Sequence, residues 1–298
     1  MRLENKHNAP QAFMDFCADD EYSRGDSDYS VTDLLEEPRI VALKRMYPDI
    51  GVEDPYENPW KYIGTMFHSI LEKYSPDDEL SEERIFSEVD GVKISGAMDV
   101  QVIDEEGNVS IGDYKTTSVF SLKDTEKWEQ QLNLYRWLVE REKGLTVTKL
   151  TIYAFLRDWK ISMSEKIKNY PPTPGITVDI DVWHKDRVED FVRFRIDQHE
   201  QCEGLTEPEL PECSHGGRWP SGTLYTVEPL AISGPEDKKL FKTKREATKY
   251  YDGLDLTEQM IVSQDKTFET YRRCKSYCDF SSVCSVWKEW KGKRNEQI

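Results

Sequence analysis

The stretch from Val92 to Thr116 reads VKISGAMDVQVIDEEGNVSIGDYKT and decides the fold. Apolar residues alternate with polar ones over residues 92–104 and again over residues 109–114, which is typical of β-strands. Residues 105–108, Glu-Glu-Gly-Asn, lie between the two runs and have the composition of a turn. The stretch therefore predicts two antiparallel strands joined as a hairpin.

Two aspartates and a lysine stand on this predicted hairpin. Asp99 follows Gly96 by three residues on one strand, and Asp113-Tyr114-Lys115 lies on the other. Cleavage of a phosphodiester needs an activated water and relief of negative charge, and divalent cations held by carboxylates supply both. Magnesium keeps several of its waters, so a few oxygen ligands suffice. We expect Asp99, Asp113 and the carbonyl of Tyr114 to bind metal, and Lys115 to act on the water.

The register of the hairpin decides whether the two aspartates can share an ion. If residues 105–108 form a simple four-residue loop, Asp99 faces Tyr114, and Asp99 and Asp113 point to opposite faces of the sheet. A shared site then requires a bulge, a kink or a loop of three or five residues. Because bulges are common beside active sites, we predict a bulge.

Three further polar residues lie on predicted helices around this hairpin. His68 belongs to a helix over residues 60–74; imidazole binds manganese-like ions, although a lone histidine is more often part of the core. Gln131 and Tyr135 share a helix face at a spacing of four. They either pack in the ordinary way or hold the metal-bound water, a phosphate or Lys115.

The predicted order of elements is helices, a strand meander, a helix and another strand. This order predicts an α/β fold of the mixed type, with a mixed central sheet flanked by helices. The strands are expected at residues 85–90, 92–104, 109–114, 147–157 and 178–182. The helices are expected from Ser30 or Thr32 through Met46, at residues 60–74, around residues 128–138, at residues 186–199 and from Thr243 to Tyr250.

These residues resemble the PD-(D/E)XK nuclease superfamily, specifically its RecB-like branch of CRISPR-associated exonucleases and bacteriophage-type relatives. The resemblance covers the chain from about residue 28 to 290. The proline of the family name is absent, because Met98 precedes Asp99. The matching residues are Gly64 with His68, Gly96 with Asp99, the Asp113-Tyr114-Lys115 triplet, and Gln131 with Tyr135. The resemblance implies a restriction-endonuclease-like core in which the histidine and two acids bind metal, the lysine is catalytic, and the glutamine and tyrosine support the site.

Six cysteines are present, at Cys17, Cys202, Cys213, Cys274, Cys278 and Cys284. The last three stand at ligand spacing, and a closed metal site needs a fourth thiolate. The resemblance favours a distant cysteine, so we choose Cys213, with Cys202 as the competitor and Cys17 as a plain thiol. Spacing alone leaves structural zinc and an iron–sulfur cluster open. The resemblance favours a 4Fe–4S cluster.

The chain carries a net charge of −17, distributed unevenly. Residues 2–37 hold ten acidic residues against three basic ones, whereas residues 272–294 have a local balance of +5. Such acidity argues against a high-affinity, non-specific DNA coat, but not against an enzyme that recruits divalent cations. In the basic stretch, Trp287 and Trp290 either stack a DNA base or pack a terminal helix.

The pattern divides the chain into an acidic lead segment (1–28), the nuclease core (29–200) and a C-terminal module holding the cysteine site (201–298). We expect a magnesium- or manganese-dependent DNA nuclease, an exonuclease in phage or prokaryotic replication, recombination or repair. Its partners would be single-stranded or end-containing duplex DNA and replication or recombination proteins, in the cytoplasm and without a membrane. A structure-specific endonuclease and a non-catalytic nuclease-fold scaffold remain the rival hypotheses.

Overall fold

The computed structural model divides the chain into two compact units, Met1–Leu205 and Thr206–Ile298. Of the helix expected from Thr243 to Tyr250, residues 245 and 248–250 are described and helical, and the other four lie outside the described residues. The structure describes residues 2–19, 25–50, 52–221, 225–229, 239–241, 245, 248–250, 260–263 and 270–295.

The first unit is built on a mixed sheet with helices on both faces, which confirms the expected fold class. Its strands are β1 (Arg2–Leu3), β2 (Tyr29–Ser30), β3 (Val52–Glu53), β4 (Glu79–Val89), β5 (Val92–Ile103), β6 (Asn108–Thr117), β7 (Thr146–Leu156) and β8 (Gly175–Ile180). Its helices are α1 (Gln11–Ala18), α2 (Val31–Leu35), α3 (Pro38–Met46), α4 (Pro59–Lys73), α5 (Glu126–Lys143), α6 (Ile161–Ser164) and α7 (Lys185–Glu200).

Six strands form the central sheet, in the order β2-β5-β6-β7-β8, and β4 also pairs with β5. Strands β2 and β6 share one edge of β5 at different places, and β4 runs along the other edge. The β6–β7 and β2–β5 pairs are parallel, and the others are antiparallel. Side chains alternate along β7: Ile152 and Ala154 are buried, whereas Tyr153 and Phe155 are partly exposed. One face of the sheet therefore carries the main core, as a period of two requires.

Helix α5 covers the core face at very short range. A Cβ atom built on Gly96 would lie 2.7 Å from Leu138 Cδ1 and 3.0 Å from the Tyr135 ring. Helix α4 lies on the opposite face, where a Cβ atom on Gly64 would lie 3.3 Å from Thr116 Oγ1. Both glycines of the predicted motifs thus mark places where a helix approaches the sheet closely.

The hairpin of β5 and β6 has a three-residue loop rather than the four residues that the turn composition suggested. The Asp104 N–H donates to the Asn108 carbonyl at 2.9 Å, and Gly107 takes a φ of +84° inside the loop. The ladder then runs regularly from Ile103–Val109 to Val100–Gly112. Extended by one more pair, this register would place Asp99 opposite Asp113, so the loop length, and not a bulge within this hairpin, puts the two acids on one face.

Part of the acidic lead segment is folded and belongs to the first unit. Helix α1 lies within it, and the Phe13 ring packs against Tyr62 of α4 at 6.2 Å between centroids. None of the helices among the described residues is both long and apolar enough to cross a membrane.

The second unit is built from short elements. Its strands are β9 (Pro220–Ser221), β10 (Tyr225–Pro229), β11 (Lys239–Phe241), β12 (Met260–Ser263) and β13 (Thr270–Tyr271), and its helices are α8 (Arg272–Ser276) and α9 (Ser285–Asn295). Strand β10 pairs with β11 and β12, and β9 pairs with β13. Trp287 is buried and its ring stacks on Trp290 at 4.9 Å. These two rings therefore pack the terminal helix, which was the alternative to stacking on a DNA base.

Candidate active site

The candidate site lies where β5 and β6 separate, a place here called the strand fork and defined by Val100, Gly112, Asp99 and Tyr114. Beyond the Val100–Gly112 pair the ladder ends. The Asp99 carboxylate takes the place of a strand partner, because its Oδ2 accepts a hydrogen bond from the Tyr114 N–H at 2.6 Å. Strand β2 pairs with β5 only as far as Ser95. Asp99 therefore lies in a gap between two neighbours of β5.

Three potential metal ligands converge at the strand fork. One ligand atom each from His68, Glu82 and Asp99 lies within 4.8 Å of the other two. His68 Nδ1 is 3.4 Å from Asp99 Oδ2 and 3.9 Å from Glu82 Oε1. Ligand atoms bound to one magnesium ion at about 2.1 Å lie roughly 3 to 4.2 Å apart. Among the described residues, this is the one group of three histidine, cysteine or acidic side chains with such spacing.

Glu82 is the member of this group that the sequence did not reveal. The β4–β5 ladder pairs Ser81 with Val100 and Glu83 with Met98, so Glu82 and Asp99 are both left out of it. Glu82 also takes a φ of +50°, which residues other than glycine seldom adopt. This irregularity arises from the way in which β4 and β5 pair, and the residue types around Glu82 do not predict it.

Asp113 lies behind this group and is almost completely buried, with 1% of its surface exposed. Its Oδ1 accepts a hydrogen bond from Gln131 Nε2 at 3.1 Å, and its Oδ2 lies 2.6 Å from Lys115 Nζ. Gln131 Nε2 also donates to Tyr135 Oη at 2.9 Å. Burial raises the pKa of Asp113 to about 6, with Lys115 opposing and the charge of Asp99 adding to the rise.

The electrostatics of the strand fork suit a divalent cation. Burial lowers the pKa of His68, but the carboxylates of Asp99 and Glu82 outweigh it and raise that pKa to about 10. Without a metal the imidazole therefore holds a proton, and a cation that His68 binds must displace it. Carboxylate oxygens with one imidazole nitrogen are a donor set that magnesium or manganese accepts, so the residues fit such an ion.

Three cysteines lie close to one another in the second unit. Burial raises the pKa of Cys274 to about 11, and the neighbouring Cys278 and Cys284 add to the rise. Burial also raises the pKa of Cys278, and the neighbouring Cys284 adds to that rise. Clustered thiols with raised pKa values are protonated when no metal is bound, and a metal that binds there must displace their protons.

The segment that carries Cys213 is tied to the three clustered cysteines from both sides. On one side, Glu207 Oε1 accepts hydrogen bonds from the N–H and hydroxyl of Ser285, at 2.9 and 3.1 Å. On the other side, the Arg272 N–H donates to the Trp219 carbonyl at 3.1 Å. Cys213 lies between Glu207 and Trp219 in the chain, so this arrangement favours it as the fourth ligand.

The remaining two cysteines belong to the first unit. Cys202 is 5% exposed, and its thiol donates to the Gln198 carbonyl at 3.7 Å. Cys17 is buried on α1. Both therefore have the surroundings of ordinary core thiols.

The sheet, its helices and the acids and lysine at the strand fork define a metal-dependent nuclease. The model of the PD-(D/E)XK nuclease superfamily matches residues 66–285, about three quarters of the chain, so this protein belongs to that superfamily. The crystal structure of SSO0001 is similar at 16% sequence identity and a TM-score of 0.42, over 63% of this chain and 82% of that one. No curated protein matches the chain.

Proposed function

We propose that this nuclease is a DNA exonuclease of the RecB-like branch that acts in phage or prokaryotic replication, recombination or repair. The observation that carries the proposal is the convergence of His68, Glu82 and Asp99 beside the Asp113–Lys115 ion pair. A scaffold that has lost its activity has no chemical reason to keep this set. A structure-specific endonuclease needs an added recognition element, and the sequence reveals none.

The acids and the histidine at the strand fork are the proposed metal ligands. His68, Glu82, Asp99 and Asp113 would hold magnesium or manganese, together with the carbonyl of Tyr114. A bound divalent cation lowers the pKa of a water and offsets charge on the phosphate. The hydrogen bond from the Tyr114 N–H fixes the Asp99 carboxylate before any ion arrives. Such preorganisation reduces the free-energy cost of binding.

Lys115 is the proposed catalytic cation. Its side chain is 24% exposed and its ammonium group is ion-paired with buried Asp113, so Lys115 lies between the carboxylate and solvent. From there it can steer the attacking water and neutralise charge that develops on the phosphate.

Gln131 and Tyr135 are the proposed supports of Asp113. The tyrosine oxygen accepts one N–H of the Gln131 amide, which leaves the other N–H directed at Asp113 Oδ1.

Linear and circular DNA distinguish the exonuclease from its rivals. End-labelled linear DNA and covalently closed circular DNA would be incubated with wild type, Lys115→Ala and Lys149→Ala, with magnesium or manganese. Lys149 is a surface lysine of β7 that is ion-paired with Asp179 at 3.7 Å, so it is a matched control. We expect wild type and Lys149→Ala to degrade only the linear DNA, and Lys115→Ala to lose at least about 100-fold in rate.

Two outcomes of this experiment would contradict the proposal. Cleavage of the closed circle would overturn the exonuclease assignment, because an exonuclease needs an end. A rate for Lys115→Ala equal to that of wild type would overturn the site itself.

We also propose that Cys213, Cys274, Cys278 and Cys284 bind a 4Fe–4S cluster, with structural zinc as the alternative. Four thiolates around one zinc ion lie about 3.8 Å apart, because Zn–S bonds are about 2.3 Å long. Among the described residues, no three thiols lie within 4.8 Å of one another. A four-iron cluster binds each thiolate through a different iron and so spaces the thiolates farther apart. The resemblance of the sequence to the CRISPR-associated exonucleases favours the cluster over zinc.

Colour and metal content test the cluster. Anaerobically purified protein should be brown, with iron and acid-labile sulfide in equal amounts. A colourless protein that contains zinc would overturn the iron–sulfur assignment. In either case the metal would hold the second unit together, a folding role.

A further inference from the structure

Two exposed aromatic rings lie beyond the end of β6, and each has a cation over one face. Trp60 is 49% exposed and Phe120 is 70% exposed. The Arg157 guanidinium lies 4.9 Å from the centre of the Trp60 ring, and Lys123 Nζ lies 5.3 Å from that of Phe120. We call these four residues the stacking platform. An exposed aromatic ring beside a cation can stack a nucleic-acid base and meet its phosphate.

The stacking platform is joined to the strand that carries Asp113 and Lys115. The Arg157 N–H donates to the Thr117 carbonyl at 2.9 Å, two residues after Lys115. The turn that bears Phe120 is held to the same corner, because the Val119 N–H donates to Asp158 Oδ1 at 2.7 Å. Both rings therefore lie near the end of the strand that carries Asp113 and Lys115.

A row of aromatic side chains continues from this end of the sheet to the strand fork. The Phe67 ring packs on Phe155, which is 40% exposed, at 4.5 Å between centroids. The Tyr114 ring lies 5.6 Å from that of Tyr153, also partly exposed, and 6.3 Å from His68. Aromatic surface thus runs along one face of the sheet toward the proposed metal ligands.

We propose that the stacking platform binds unpaired bases, so that the substrate of this site is single-stranded DNA; this deepens the proposed nuclease function and rests on it. Every base has a flat π-face, but bases within a duplex are already stacked and cannot reach a protein ring. Lys123 and Arg157 meet the phosphates on either side of the bound bases. Because the chain as a whole has a net charge of −17, phosphate neutralisation along a duplex contributes less to its binding and stacking contributes a larger share.

Binding without cleavage tests the stacking platform. A fluorescein-labelled single-stranded oligonucleotide and its blunt duplex would be titrated into Lys115→Ala protein that also carries Trp60→Ala or Phe120→Ala. We expect each second substitution to weaken single-strand binding about 5- to 150-fold and to leave duplex binding unchanged. Phe194→Ala is the matched control, because Phe194 is 54% exposed on α7, a helix that packs against α5.

An abasic oligonucleotide separates stacking from charge. It carries the same phosphates but no bases, so Lys115→Ala protein should bind it more weakly than the normal strand. The further loss caused by Trp60→Ala should disappear on this ligand, and Trp60→Phe should restore most of the binding to the normal strand. The restored binding would also exclude misfolding as the cause of the Trp60→Ala effect.

The outcomes distinguish this proposal from the nuclease proposal. Single-strand binding that is unaffected by Trp60→Ala and Phe120→Ala, or weakened equally by Phe194→Ala, would overturn the stacking platform. Because these titrations involve no cleavage, a failure of the nuclease assay leaves their result unchanged. Tight platform-dependent binding by a wild-type chain that cuts no DNA would refute the nuclease alone.

Discussion

The Asp99 carboxylate accepts a hydrogen bond from the backbone N–H of Tyr114, with 2.6 Å between Oδ2 and N. This contact satisfies a backbone donor at the place where β5 and β6 stop pairing, so the strands can separate without leaving that group unbonded. The side chain that opens the strand fork is also a proposed metal ligand. Structure and proposed chemistry therefore depend on the same carboxylate.

Removing the charge of Glu82 should weaken metal binding. Glu82→Gln keeps the size of the side chain but lowers its ability to bind a divalent cation, so we expect manganese affinity to fall at least about 10-fold. Titration calorimetry with manganese measures this directly. Glu88→Gln is the control, because Glu88 is an exposed acid on the same strand. Equal affinities for the two variants would remove Glu82 from the ligand set.

Shortening Gln131 should slow cleavage while leaving the fold intact. Gln131→Ala leaves the buried Asp113 Oδ1 without its side-chain donor, and we expect kcat to fall about 10-fold or more. Tyr135→Phe should cost less, because the ring keeps its packing while the hydroxyl that accepts from the Gln131 amide is lost. Gln130→Ala removes a neighbouring glutamine that donates to Glu126 on the same helix, and it should be neutral. A Gln130→Ala rate as low as that of Gln131→Ala would refute the assigned support role.

Adding one methyl group at Gly96 should destabilise the first unit. The new Cβ atom would lie 2.7 Å from Leu138 Cδ1, so the Leu138 side chain or α5 must shift, and we expect a loss of about 1–3 kcal/mol in the free energy of unfolding. Urea titration measures the loss. At Gly175 a Cβ atom would meet nothing within 4 Å, so Gly175→Ala should be tolerated. Similar stabilities for the two variants would show that α5 does not approach the sheet so closely.

Replacing Cys213 should empty the metal site of the second unit, whereas replacing Cys202 should not. Cys213 lies on the segment tied to the clustered cysteines, and Cys202 lies in the other unit. The iron or zinc content per chain, with the visible spectrum, would be compared for Cys213→Ser, Cys202→Ser and wild type. Full metal content in Cys213→Ser with loss in Cys202→Ser would reverse the assignment.

The first unit should lose stability as the pH falls below about 6.5, because of His199. Burial and the charge of Arg195 lower the pKa of this histidine to about 4, against the opposing hydrogen bond with the Leu34 carbonyl and the charge of Asp33. Between the two pKa values, the unfolded chain binds a proton that the native state does not, so stability decreases with falling pH.

Unfolding of variants separates this contribution from other titrating groups. From pH 7 to 5 the free energy of unfolding should fall about 1–2 kcal/mol more in wild type than in His199→Gln. Parallel pH profiles for the two proteins would mean that His199 is protonated equally in the folded and unfolded states.

Local features of the fold were predictable from the sequence. The Ser30 side chain caps α2, and the reciprocal hydrogen bond with Asp33 depends only on residues three apart. The strands around Asp99 and Asp113 were likewise predictable, because alternation has a period of two wherever one face is buried. Strand β4 is longer than predicted. It begins at Glu79 rather than residue 85, and its first half contains the irregularity at Glu82.

The candidate site was predictable only in part. Residue types and spacing singled out His68, Asp99, Asp113, Lys115, Gln131 and Tyr135, and the structure brings all six to the strand fork or directly behind it. The group of metal ligands differs from the predicted one. Glu82 joins His68 and Asp99, whereas Asp113 forms an ion pair with Lys115. Spacing along a chain says which residues share a strand, but not which strands meet.

The sequence by itself determined the hairpin, the two aspartates and the lysine on it, and the class of chemistry that they can perform. Only the tertiary structure decided the three-residue loop, the place of Glu82 and the aromatic surface around Trp60. The physical reason is that a change of one residue in a loop reverses the face of every side chain beyond it. Local propensities differ too little to choose between such loops, so the packing of α4 and α5 against the sheet makes the choice.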